Sequence, residues 1–343
     1  VIAGCDFTGA QHFTGVQFYA TQSYQDKDAR GVKLNEMNLS NANFRELNLQ
    51  GASFEGAKLT DVDFTGADLT NASFRNSYGD LINFTDADIR GADFSVSSDR
   101  GSFLFFSKRY LYSTKSYKDK DLSGVNFSSS VSQIQLPVLD FDLSEQNLTG
   151  ANFSGRQLLG SFERAILKDT LFTNAVLGNG VNFRDTTSGG FTPAQFYTTL
   201  SYQNKMLSSV NLSRNDLSGW DFSGMDLFHN DFSLCDLSGA VFGKTSHRSS
   251  NFTDSNLSGA DFRQSTLGDT LFIRADLSGA DFRDSLLEFT DFTDAVIRYA
   301  DFSQTKFRAE QFYATKSYKD KDVRGIILKN RDLTGGRFAG LDL

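Results

Sequence analysis

Asn215-Asp216-Leu217-Ser218-Gly219, Cys235-Asp236-Leu237-Ser238-Gly239, Ala260-Asp261-Phe262-Arg263-Gln264 and Ala275-Asp276-Leu277-Ser278-Gly279 are four copies of one short pattern. They lie in a stretch, Leu207 to Phe312, in which every fifth residue is Leu, Phe or Ile, with His247 the one exception. The large apolar residue usually follows Asp or Asn and stands two places after a small residue. A period of five fits neither a helix face nor a strand face, so the stretch reads as a repeat architecture in which each unit buries its apolar position against the next.

These pentapeptides resemble the pentapeptide-repeat family, whose consensus is A(D/N)LXX. The resemblance implies an all-β fold, a right-handed quadrilateral β-helix with one pentapeptide per side and four per coil. The central Leu or Phe and the small residue two before it point inward there, and the other three positions face water. In a four-sided coil, positions twenty apart stand over one another, and the residues at that spacing agree. Phe222, Phe242, Phe262, Phe282 and Phe302 form one column. Leu217, Leu237, Leu257, Leu277 and Ile297 form a second, and Phe232, Phe252, Phe272, Phe292 and Phe312 a third. An earlier block keeps its own register, with Phe44, Phe64 and Phe84, Phe54, Phe74 and Phe94, and Leu49, Leu69 and Ile89. Rings stacked at a strand spacing of about 4.8 Å would bury most of the 34 Phe without a helix bundle or a sandwich.

At about twenty residues per coil the chain makes roughly 17 coils, a rod on the order of 80 Å long. Only 2 Pro occur and no Ser/Gly-rich or charged linker separates the blocks, so residues 1–343 read as one continuous solenoid. No apolar run is long enough to span a bilayer, and no basic-then-apolar leader is present, so no membrane insertion is expected. Val1 opens either a processed chain or a fragment.

Four similar segments interrupt the repeats, near 14–28, 107–121, 192–206 and 308–322. Gln195-Phe196-Tyr197-Thr198-Thr199-Leu200-Ser201-Tyr202-Gln203-Asn204-Lys205 typifies them, and nine of the 11 Tyr fall within them. The next inward residue comes 11 places after the first (Phe18 to Ala29, Leu111 to Leu122, Phe196 to Leu207, Phe312 to Val323), so each insert replaces about two sides of a coil with one residue to spare. A short helix is expected in each. Thr192-Pro193-Ala194-Gln195 and Thr14-Gly15-Val16-Gln17 have the capping-box form, with Pro193 where a helix accepts proline first. Two roles are open for the tyrosines Tyr19, Tyr24, Tyr112, Tyr117, Tyr197, Tyr202, Tyr313 and Tyr318. They form a repeated docking surface, or they fill a corner with Lys27, Lys120, Lys205 and Lys321 laid over the rings. The inserts also resemble those of long, exported pentapeptide-repeat proteins of aquatic bacteria.

The sequence offers no catalytic, cofactor-binding or metal-binding constellation. His12, His229 and His247 have no ligand spacing to one another or to Cys. His247 takes the central place in the Leu227, Leu267, Leu287 column, which predicts a buried, hydrogen-bonded imidazole or a bulge around Gly243-Lys244-Thr245-Ser246. Cys5 and Cys235 both fall in the small inward slot, as structural thiols. Asp26-Lys27-Asp28 lacks the later ligands of a calcium loop. Tripeptides such as Asn83-Phe84-Thr85 match a glycosylation acceptor only because the repeat generates them.

Several proteins of the resembled family mimic DNA and protect gyrase. The net charge of −8 spread over such a rod is one charge per about 10 Å, against one per about 1.7 Å in duplex DNA. The acidic run Asp216, Asp221, Asp226, Asp231 and Asp236 would ring the rod instead of running along it. The expected function is a non-enzymatic structural rod, extracellular or on the cell surface, that binds itself head to tail through open terminal coils, Leu343 among the contact residues. The alternatives are a DNA-mimicking gyrase protector, which would be cytoplasmic, and a monomeric scaffold for other proteins. No direct nucleic-acid contact is expected.

Overall fold

The computed structural model describes residues 1–10, 15–97, 106–130, 138–329 and 337–342. Why a pentapeptide makes one side of a coil is visible in the fate of the five N–H groups from Leu277 to Asp281. Leu277 donates to Val296 O of the next coil at 2.7 Å and Gly279 to Arg298 O at 2.8 Å, while Asp281 reaches back to Ala260 O of the preceding coil at 2.9 Å. Ala280 closes the turn onto Leu277 O at 3.0 Å. Ser278 N–H has neither ladder nor turn partner and donates to Oδ1 of Asp276 at 2.9 Å. The Asp or Asn before each central residue is thus the acceptor that completes the backbone accounting, as an Asx turn does elsewhere. The turn needs a left-handed residue two after the centre. Gly279 supplies it at φ 71°, and Gln264, Asp284 and Gln304 adopt it at about 60° without a glycine.

Parallel bridges recur at twenty-residue steps, four to a turn: Asp216 to Asp236, Asp221 to Val241, Asp226 to Ser246 and Asp231 to Asn251. Each is a single-residue bridge. Among the described residues only β1 (Gln157–Leu158) and β2 (Val176–Leu177) extend to two residues.

Contacts divide the chain into two compact units, Val1–Leu158 with Ala165–Val176, and Leu159–Arg164 with Leu177–Leu343. In the first, Phe54, Phe74 and Phe94 stack at 5.0 Å per step, and Phe44, Phe64 and Phe84 at 5.2 and 5.4 Å. In the second, Phe222, Phe242, Phe262, Phe282 and Phe302 stack at 4.9–5.0 Å with their planes within 6°. The Phe232 column stands edge-on to it, Phe262 and Phe272 meeting at 81°. These rings are sealed from solvent. Stacking along a column with edge-to-face contact between columns satisfies the ring quadrupoles in both directions. At Phe312 the third column passes into a helix, and Phe307 packs edge-on to Phe292 at 5.4 Å in its stead. Buried hydroxyls in the small slot are bonded to the backbone, as Ser255 Oγ to Phe252 O at 2.6 Å.

Each insert holds two short helices where one was expected: α1 (Gly15–Tyr19) and α2 (Gln22–Gln25), α3 (Lys108–Ser113) and α4 (Lys115–Lys118), α5 (Pro193–Tyr197) and α6 (Leu200–Gln203), α7 (Ala309–Ala314) and α8 (Lys316–Lys319). The break falls at Thr21, Thr114, Thr199 and Thr315, whose extended backbone ends the first helix and whose hydroxyl caps the second. Thr192 and Gln195 form the expected capping box with Pro193 in the first turn. Thr14 of the other proposed box lies outside the described residues.

Candidate interaction surface

The inserts join the ladder at both faces by side chains. In a regular coil the N–H before a central residue donates to a carbonyl of the preceding coil. Where that coil is an insert, a tyrosine hydroxyl stands in for the carbonyl. Tyr19 Oη accepts from Asn43 N at 2.8 Å, Tyr112 from Asp142 N at 2.7 Å, Tyr197 from Asp221 N at 2.8 Å and Tyr313 from Arg337 N at 3.1 Å. On the opposite face a serine does the same for a central N–H. Ser23, Ser116, Ser201 and Ser317 Oγ accept from Ile2, Ile89, Leu177 and Ile297 at 2.8–3.0 Å. The recurring Tyr and Ser of the inserts therefore carry the hydrogen-bond register of a β-helical side across a helical one.

The second tyrosine of each insert, Tyr24, Tyr117, Tyr202 or Tyr318, lies against the first at 4.5–4.8 Å between centroids. Tyr117 also donates its hydroxyl to Asp142 O at 2.9 Å. Burial pushes the Tyr117 phenol up to about 12 and raises those of Tyr24 and Tyr202. All eight rings are half-buried. Lys205 Nζ sits 4.5 Å above the Tyr202 ring, as the snorkelling reading expects. Lys27 and Lys120 instead pair with Glu46 and Glu145.

In the first unit both inserts continue one side of the coil: Phe18 meets Phe44 at 5.3 Å, and Asp86, two after Phe84 of the same column, donates to Ser113 O at 2.9 Å. In the second unit they occupy opposite sides. Phe196 faces Phe222 at 5.7 Å, whereas Asp294, two after Phe292, donates to Ala314 O. The tyrosines are brought together as four separate pairs. Leu343, the remaining proposed contact, lies outside the described residues.

His247 keeps the column register without a bulge, its N–H donating to Thr266 O at 2.8 Å. Its ring is sealed among Phe242, Phe252 and Phe262, and neither nitrogen has a hydrogen-bond partner, against the bonded imidazole expected. Its own column offers it leucine and the adjacent columns offer phenyl rings, neither of them a hydrogen-bond partner, and burial lowers its pKa to about 3. Cys235 is buried with its thiol 3.1 Å from Leu212 O, while Cys5 is exposed in a coil with a described neighbour on one side only. The residue that sequence reading missed is Arg156. It occupies the slot two before Leu158 that the repeat gives to small residues, and that misfit in Gly155-Arg156-Gln157-Leu158 was its signal.

Outward acids are largely engaged. Arg263 clamps Asp261 at 2.7 Å and approaches Asp281 at 3.7 Å; Arg283 does the same to Asp281 and Asp301 at 2.6 and 3.7 Å. The hydrogen bond from Arg263 holds the Asp261 carboxyl below its usual range. Among the described residues no group of His, Cys, Asp and Glu is placed to hold a metal ion, and no helix is long and apolar enough to cross a membrane.

Among curated proteins none matches the chain. Of solved structures, Rfr23 from the cyanobacterium Cyanothece 51142 is 22% identical over 29% of this chain and 58% of that one, under two thirds of its length, with a TM-score of 0.20. HetL, a pentapeptide repeat protein involved in heterocyst differentiation regulation in Nostoc sp. strain PCC 7120, is 16% identical over 79% and 89% at a TM-score of 0.17. Full-length QnrB1, a plasmid-mediated fluoroquinolone resistance protein, is 15% identical over 87% and 94% at 0.16. Pentapeptide repeats are matched in eight copies, among them residues 28–61, 38–76, 57–95, 207–243, 231–269, 250–288 and 270–308, and with the five-residue accounting and the twenty-residue bridges this makes the chain a member of the pentapeptide-repeat family.

Proposed function

We propose that the protein is a non-enzymatic structural scaffold, built as the right-handed quadrilateral β-helix its family implies, whose copies associate end to end. The observation that supports this reading is the state of inward-type residues in the outermost described coils. Phe7, Phe338 and Leu341 are half-buried and Cys5 is exposed, whereas Phe262 and Leu277 are fully sealed. Part-exposed inward positions of this kind present ladder groups and apolar slots that another coil fits. Such a contact is heterologous and grows without closing. The half-buried tyrosine pairs add outer ring faces for lateral contact with other proteins. The scaffold is proposed to work outside the cell or on its surface, a reading supported by the resemblance of the inserts to those of exported relatives.

The gyrase-directed alternative has less to support it, because arginines interleave the acidic column of Asp261, Asp281 and Asp301 and leave no continuous negative stripe there. Sedimentation of the purified chain over rising concentration, with negative-stain imaging, tests the proposal. Stepwise growth of mass and elongated particles are expected. A single monomeric species at the highest concentration reached overturns it, and inhibition of DNA supercoiling by that monomer would favour the alternative.

A further inference from the structure

Arg156 is 4% exposed, in the inward slot two before the centre, where the other regular coils carry uncharged residues, mostly Ala, Ser, Thr or Val, with Gln146, Asn215, Trp220 and Met225 among the larger ones. Its backbone makes the ordinary turn, N–H to Phe153 O at 3.2 Å, so the guanidinium is carried into the interior without local unfolding. Nε donates to Phe127 O at 2.5 Å, and Nη1 is buried without any partner. Among the described residues no carboxylate pairs with it, and burial lowers its pKa to about 10. An interior cation without a counter-charge is costly, and the cost is relieved when an anion is brought to it.

The guanidinium borders a cavity of about 200 Å³, walled by Phe106, Leu139 and Phe141, with Ser107, Lys108, Val138 and Asp140 completing its lining. The walls are mainly apolar: Phe106 and Phe141 lie 5.5 and 5.6 Å from the Phe127 ring and, with Leu139, are buried. Lys108, the other cation, is exposed at the rim and already paired with Asp140 at 3.3 Å. One uncompensated positive charge therefore remains inside, beside an apolar chamber. We propose that this cavity binds a small organic monocarboxylate, its carboxylate on Arg156 and its apolar body against Phe106, Leu139 and Phe141. A planar two-oxygen acceptor matches the guanidinium fork, the single charge balances Arg156 alone, and the volume suits an acid the size of benzoate or hexanoate. A bare phosphate would leave the apolar walls unfilled and bring excess charge into them.

The test is calorimetric titration and thermal melting of the full chain with benzoate, hexanoate, benzamide and inorganic phosphate. Benzoate or hexanoate is expected to bind at one site and raise the melting temperature. Benzamide, isosteric and neutral, and phosphate are expected to bind at least about tenfold more weakly. Arg156→Met should abolish the carboxylate response. Should that variant fail to fold, Val138→Trp, which crowds the half-exposed rim and leaves Arg156 in place, must weaken binding by a similar factor. Absence of any carboxylate response in the unaltered chain, equal response to benzamide or phosphate, or full binding by Arg156→Met or by folded Val138→Trp would each overturn the assignment.

Discussion

The phenolic oxygen of Tyr197 accepts the backbone N–H of Asp221 at 2.8 Å, taking the place that a carbonyl of the preceding coil holds on every regular side. Carbonyls within a helix serve its own turns, and only those at its end, such as Ser113 O and Ala314 O, reach a neighbouring coil, so at Asp221 a side chain takes the role.

Tyr197→Phe should therefore leave the Asp221 N–H without its acceptor and cost about 1–3 kcal/mol. Tyr202→Phe keeps the ring against Tyr197 and Phe196 and should cost less than about 0.5 kcal/mol. Denaturant melts of the two variants check the difference; equal effects would remove the hydroxyl from the account.

Phe262 lies 4.9 Å from Phe242 and 5.0 Å from Phe282 in a column sealed from solvent. Phe262→Ala should cost about 3–5 kcal/mol, since stiff columns on both sides cannot collapse into the space. Arg263→Ala on the outer surface should leave the same melt within error.

His247 gives the fold a pH dependence of defined sign. Its folded pKa, near 3, lies below the value of 6.5 it has when free of the core. The unfolded chain thus takes up the proton first, and stability present above pH 6.5 is lost as pH falls toward the folded value. By pH 5 the loss should reach about 2 kcal/mol. His247→Leu should remove that slope and raise stability at neutral pH, because the orphaned nitrogens go with the ring. A wild-type stability that stays flat between pH 7 and 5 would contradict this.

The two thiols should differ in kind. Burial pushes the Cys235 thiol up to about 12, whereas Cys5 is exposed. A thiol reagent in native buffer should modify one cysteine quickly and the second only at the rate of unfolding; two fast thiols would mean that the Leu237 column opens locally.

The period of five, the twenty-residue columns and the place of the inserts were legible in the residues, because each side of a coil repeats the same local accounting: an inward apolar centre, a small inward partner, an acid or amide for the orphan N–H and a left-handed turn. Such rules act within a few residues and recur, so one sequence suffices to read them. The partners of Tyr197, the bare nitrogens of His247 and the unpaired guanidinium of Arg156 were decided only in the tertiary structure. Each depends on what the neighbouring coil presents twenty to thirty residues away, and an insert of irregular length resets that register. His247 and Arg156 were visible as misfits in their slots, yet whether a polar group in a core finds an acceptor is settled by the surrounding walls, and here those walls are rings of phenylalanine.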